Sequence, residues 1–212
     1  EFSSIASKIA YFFLIANYCP HNTTMLVCSM ENKQNIVFDT EFIQYRLDLA
    51  DGRRVPVTEL ISIGMINDDG QEYYAVSSEF NLKAAQENRW VRENVLDKLP
   101  PEDTWISLRD MKPQIFDFVG KKPTKFNYYC IEEDMVMLRQ IMTPTSVTGF
   151  PDEWDINGLN IQQEFERIGT PDGVKPIRPE NIHNALEDAR WAKEFLENIR
   201  NHPDSTYQAP TR

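Results

Sequence analysis

The run Asn35–Gln44, NIVFDTEFIQ, constrains the fold more than any other stretch of the chain. Ile36, Val37, Phe38, Phe42 and Ile43 are β-branched or aromatic, the composition of a strand buried in a sheet. Asp39 and Glu41 interrupt that run one residue apart. A carboxylate is costly to bury without a cation or hydrogen-bond donors. At i and i+2 of a strand both acids project to one face, with Cβ atoms about 7 Å apart. Each raises the pKa of the other unless a cation sits between them. The alternative is an exposed pair at a strand end with no role, and the motif alone leaves both readings open.

Around this run the chain punctuates into strands and then helices. Asn35–Ile43 predicts a first strand, Gln44–Arg54 a polar, arginine-rich loop, and Thr58–Ile66 a second strand. Asn67–Gly70 (NDDG) is turn chemistry, and Gln71–Ser78 completes a hairpin. Helices are expected in Gln86–Leu99, ended by Pro100 and Pro101, and in Ser107–Gly120. Thr124–Tyr129 reads as a strand feeding a helix at Ile131–Met142. A helix ending at Gly169, a turn-rich loop to Pro179 and a last helix at Asn184–Arg200 follow. Strands first, then alternating helices and strands, predict an α/β domain with a mixed sheet flanked by helices.

That domain is expected over residues 34–201, with 202–212 a disordered tail. The first 33 residues are expected to stand outside it. Ile9–Tyr18 has the length of a secretory apolar segment, but only Lys8 is positive before it and no A-x-A site follows. Met25 or Met30 is the expected native start.

A formal net charge of −11 argues against a broad phosphate-coating surface. It leaves room for a phosphodiester received by cations over a carboxylate cluster. Three cysteines without CxxC spacing point to a reducing, cytoplasmic setting. No apolar run reaches the roughly 20 residues of a membrane span.

More acids turn inward. In Ile131–Met142 the residues Ile131, Met135, Leu138 and Met142 form one apolar stripe, and Asp134 falls inside it. Glu132 and Glu133 project to the polar side. A place in the first helical turn also favours an acid through the helix dipole, which accounts for its position but not its face. In Asn181–Leu196, Asn184 and Glu187 have the spacing of a capping box, making His183 N′ and Asp188 N4. Those positions meet across a helix start, so an imidazole and a carboxylate come together. A surface hydrogen bond is the plain alternative. No neighbouring Arg or Lys looks committed to these acids. Four carboxylates and a histidine suit two hard cations, Mg²⁺ or Mn²⁺. His183 could take a proton from an attacking water.

FDTEF, an aspartate on the helix after the middle strand, and HNALED together resemble the three motifs of the DEDDh 3′-to-5′ exonucleases, whose fold is ribonuclease H-like. The order DTEFI…ELISIG…EYYAVS…WVRENVLDKLP…HNALEDAR is similar to the small RNase T-like 3′-to-5′ exoribonucleases over Asn35–Arg200. The resemblance implies a mixed five-stranded sheet, two Mg²⁺ or Mn²⁺ ions, and single-stranded RNA or DNA 3′ ends as substrate. Nucleoside 5′-monophosphates would be the product and a homodimer the assembly. It assigns Asp39 and Glu41 to the first motif, Asp134 to the second, and His183 with Asp188 to the third. Phe42 becomes a candidate for stacking on the 3′-terminal base, an interaction worth about 1–3 kcal/mol, with plain core packing as the alternative. Arg46, Arg53 and Arg54 could form a positive lip or a solvated loop. A non-catalytic binding module of the same fold and an RNase H-like endonuclease are the competing functions.

Overall fold

A computed structural model describes residues 33–142, 150–155 and 157–205. The expected N-terminal extension, apart from Lys33, and the tail from residue 206 lie outside these. The chain forms strands β1 (Gln34–Asp48), β2 (Arg54–Asn67), β3 (Glu72–Val76), β4 (Thr124–Tyr128) and β5 (Leu159–Asn160). Helices α1 (Leu82–Glu87), α2 (Arg89–Asn94), α3 (Leu108–Val119), α4 (Glu133–Met142), α5 (Ile161–Arg167) and α6 (Ala185–Asn201) accompany them. The five strands make one sheet in the order β3-β2-β1-β4-β5. β1–β2 and β2–β3 are antiparallel, while β1–β4 and β4–β5 are parallel. This is the mixed sheet flanked by helices of a ribonuclease H-like fold.

The central place of β1 explains its composition. Its alternating side chains enter two different cores, one on each face. Ile36 and Phe38 pack with Met65, Met111, Phe126 and Leu138. Val37 packs with Phe165, Trp191, Phe195 and Ile199, largely a face of α6. Asp39 and Glu41 continue the Val37 row, so the carboxylates point toward the side covered by α6. Gly64 of β2 lies opposite Asp39. It lets the main chain of Ala185 and Leu186 press so close that an added Cβ would meet them at 2.4 Å.

The expected loop Gln44–Arg54 is instead a hairpin. Both strands run on, closing through Leu49 N–H donating to Arg53 O (2.8 Å), with Gly52 at φ +81°. Asp51-Gly52 is a hairpin signal hidden among charged residues. On the exposed hairpin Arg53 pairs with Asp51 and Arg54 with Asp48. The helix expected over Gln86–Leu99 is broken by Asn88, whose side chain accepts from Val91 N–H and starts α2 anew. A 3₁₀ turn, Leu96–Lys98, replaces its end. β5 is only two residues long and carries no alternation to read. Ile131 precedes α4 and is 47% exposed, so the buried stripe runs through Met135, Leu138 and Met142 without it.

Candidate active site

The first turn of α6 is built by Asn184. Its side-chain oxygen accepts from the N–H groups of Leu186 and Glu187, stopping the chain from fraying where the helix begins. Glu187 does not return the bond; it pairs with Arg190. His183 stands just before the cap with φ +64°, a left-handed conformation uncommon for a side chain of its size. Asp188 stabilises that turn. Its Oδ2 accepts from the main-chain N–H of His183 at 2.6 Å. The expected proximity of residues 183 and 188 is present, but the carboxylate engages the main chain, not the ring. The imidazole lies edge-on to Trp90, with ring centroids 4.7 Å apart, and Trp90 is 52% exposed. Lys98 donates to the carbonyl of Ile182, tying the 3₁₀ turn that follows α2 to the turn that carries His183.

Across from this turn, β1 presents its acids. Glu41 is 8% exposed, Asp188 6% and Asp134 3%; Asp39 is half-buried. Glu41, His183 and Asp188 each bring one ligating atom within 4.8 Å of the others. Asp134 approaches from α4, as its helical phase required. Its Oδ1 accepts from both the N–H (3.0 Å) and the hydroxyl (2.7 Å) of Thr40, the residue between the two β1 acids. Phe42 is half-buried and packs against the core cluster of Phe38 and Met65.

The electrostatics follow from crowding. Burial, then the carboxylates of Asp134, Glu41 and Asp188, hold the Asp39 carboxyl well above its ordinary range. Burial and the same kind of repulsion push Glu41 up to about 8. Asp134 rises to about 7 through burial, although the two Thr40 donors pull it back. His183 moves the other way: burial lowers its pKa, and Lys98 and Arg178 add to that, against the field of Asp188. The imidazole is therefore neutral near pH 7, a proton acceptor beside a cluster of under-neutralised acids. Such perturbed groups, gathered at one place, mark functional sites more often than structural ones.

No protein-family model matches the chain. It is 36% identical over 158 residues, 72% of its length and 85% of theirs, to two Mycobacterium tuberculosis proteins, of strains CDC 1551 / Oshkosh and ATCC 25618 / H37Rv. Each is named a 3′-5′ exoribonuclease. The chain belongs to this exoribonuclease family. It is thus a hydrolase acting on nucleic acid, and the acid-lined turn beside His183 is its candidate centre. Among the described residues no helix is long and apolar enough to cross a membrane.

Four residues of the candidate site escaped the sequence pattern. Thr40 was legible only as the residue between two acids, Trp90 and Lys98 only as parts of a helix. Arg178 lies in the turn-rich loop, where no periodicity orients side chains. Its Nη1 donates to Asp188 Oδ1 at 2.8 Å, so one acid does have a committed basic neighbour, ten residues earlier in the chain. Only its identity as an arginine near HNALED offered a signal.

Proposed function

We propose that this exoribonuclease is a DEDDh enzyme that hydrolyses the 3′-terminal phosphodiester of single-stranded RNA, releasing nucleoside 5′-monophosphates. The observation that supports it is that Glu41, His183 and Asp188, from β1 and the start of α6, bring ligating atoms within 4.8 Å of one another, with Asp39 and Asp134 near enough for the acids to repel. The donor set fits hard divalent cations: carboxylate oxygens with one imidazole, desolvated and repelling one another. Asp39, Glu41, Asp134 and Asp188 would hold two Mg²⁺ or Mn²⁺ ions. When bound, these supply charge neutralisation at the phosphodiester and a more acidic water. His183 accepts the proton of the attacking water, and the left-handed turn pinned by Asp188 and Lys98 fixes where its ring stands. Phe42, beside Glu41 and half-buried, is assigned to the terminal base. The catalytic domain is residues 34–201, and a homodimer belongs to the same reading.

The direct test is digestion of matched RNA and DNA oligomers, with 3′ ends free or blocked, in Mg²⁺, Mn²⁺ or EDTA. Mononucleotides from free 3′ ends of RNA with a cation present are the expected result. Internal fragments, or equal cleavage of blocked ends, would establish an endonuclease instead.

The raised carboxylates carry a second expectation. Groups whose folded pKa lies above the unfolded value bind more protons when folded, so stability declines as pH rises through the interval between the two. For Glu41 that interval runs from 4.5 to about 8. In EDTA the melting temperature should fall between about pH 5 and pH 8. Mn²⁺ should restore it, by an amount that grows with pH, because protons no longer compete for the oxygens. A Mn²⁺ effect that is flat across this range would remove these acids from the cation site.

A further inference from the structure

Arg178 is placed for more than one partner. Its guanidinium reaches Asp188 Oδ1 at 2.8 Å while lying over the ring of Trp191, with the guanidinium carbon 3.6 Å from the ring centroid and 4.8 Å from that of Tyr129. Its side chain remains 40% exposed although Asp188 beneath it is buried. Lys175, from the same loop, donates to the Tyr129 hydroxyl at 2.8 Å and sits 5.2 Å from that ring's centre. A protein of net charge −11 thus sets two cations on one aromatic shelf at the rim of its acid cluster. The flat rings hold the guanidinium in plane without consuming its donors, so it can exchange one oxyanion for another.

Charge decides when it does so. Fully ionised, the four carboxylates would carry four negative charges, of which Arg178 offsets one. Two divalent cations would cancel all four, leaving the arginine with no anion to neutralise and a repulsive neighbour at Asp188. We propose that Arg178 is a phosphate-binding residue of this exoribonuclease. With the acids bare it caps Asp188, and with cations bound it turns on the Trp191 face to hold a phosphate oxygen of the RNA near the 3′ end. This rests on the cation-dependent reading above. It adds a substrate contact outside the carboxylate set and gives an acidic protein a local grip on a polyanion.

Binding of a short 5′-fluorescein RNA, followed by anisotropy over a range of salt, tests this. Ca²⁺ serves as the cation, and gels verify that the RNA stays whole. For Arg178→Gln the affinity should fall about 3- to 10-fold. The slope of log K against log salt should become shallower by about 0.7, the loss of one phosphate contact on a single strand. Arg178→Met, which keeps an apolar stem against Trp191, should give the same slope and covers the case in which the glutamine loosens the loop. Titration of the proteins with Mn²⁺ alone should show affinity equal to or tighter than wild type, since a competitor for Asp188 is gone. Wild-type affinity and slope in both variants would overturn the phosphate role, as would weaker Mn²⁺ binding, which would make Arg178 a support of the cation site. If the wild-type protein fails to degrade free RNA 3′ ends, the function proposed above falls. If it degrades them and only the variants behave as wild type, this inference alone falls.

Discussion

Replacing His183 with asparagine should slow mononucleotide release by about 10²- to 10⁴-fold, the range for loss of a positioned general base. Asparagine is the informative choice because position 183 has φ +64°, a region that Asn tolerates better than most residues. It keeps the main-chain N–H that Asp188 accepts at 2.6 Å, so the turn and the N-cap at Asn184 survive. The loss should therefore fall on kcat, with KM and melting temperature close to wild type. In the wild-type enzyme the imidazole must be neutral to act. Its pKa is lowered from 6.5 by burial, Lys98 and Arg178 against the field of Asp188, so with the cation saturating at every pH the rate should hold level above neutrality and drop on the acid side of that value. Single-turnover release from 3′-labelled RNA measures this. A variant that keeps more than about a tenth of the wild-type rate would remove His183 from proton transfer.

How much of this site could be read in the chain depends on which residues periodicity governs. Asp39 and Glu41 stood out because β1 is central and its apolar rows are long, so two acids break a strong pattern. Asp134 was legible from helical phase, and its burial beneath Thr40 agrees with that phase. The turn at His183–Asp188 followed from cap spacing, but spacing fixes only that two residues meet, not which atoms do. The carboxylate's contact with a main-chain N–H instead of the ring was beyond it. Arg178 and Trp90 come from a loop and a six-residue helix, where no repeat orients the side chains. The hairpin beyond Gln44 was legible in principle: Ile43, Tyr45 and Leu47 alternate with Gln44, Arg46 and Asp48, Val55 and Val57 answer them on the return strand, and Asp51-Gly52 supplies the turn, but the density of charged residues reads as a loop.

The largest structural effect is expected at Gly64, a residue with no reacting group of its own. This glycine is opposite Asp39 in the β1–β2 ladder, and an added methyl would meet the main chain of Ala185 and Leu186 at 2.4 Å. Main chain at a helix start cannot swing aside as a side-chain tip does, so either β2 or the start of α6 must move. Ordinary overpacking costs about 1–3 kcal/mol, and a clash with backbone on both sides belongs at or above the top of that range. At about 2–4 °C per kcal/mol for a domain of this size, Gly64→Ala should lower the melting temperature by about 6–12 °C. The same displacement separates His183 and Asp188 on α6's first turn from Asp39 and Glu41 on β1. A shift of about 1 Å in such a constellation costs on the order of 10²-fold in rate. Gly64→Ala should thus lose activity at temperatures where it is still folded, a combination that core truncations elsewhere, such as Ile115→Ala on α3, should not produce. Thermal melts and RNA digestion at 15 °C and 37 °C measure both effects. A variant within about 2 °C of wild type and fully active at both temperatures would mean that the close approach of α6 to β2 does not set the distance between the two halves of the acid cluster.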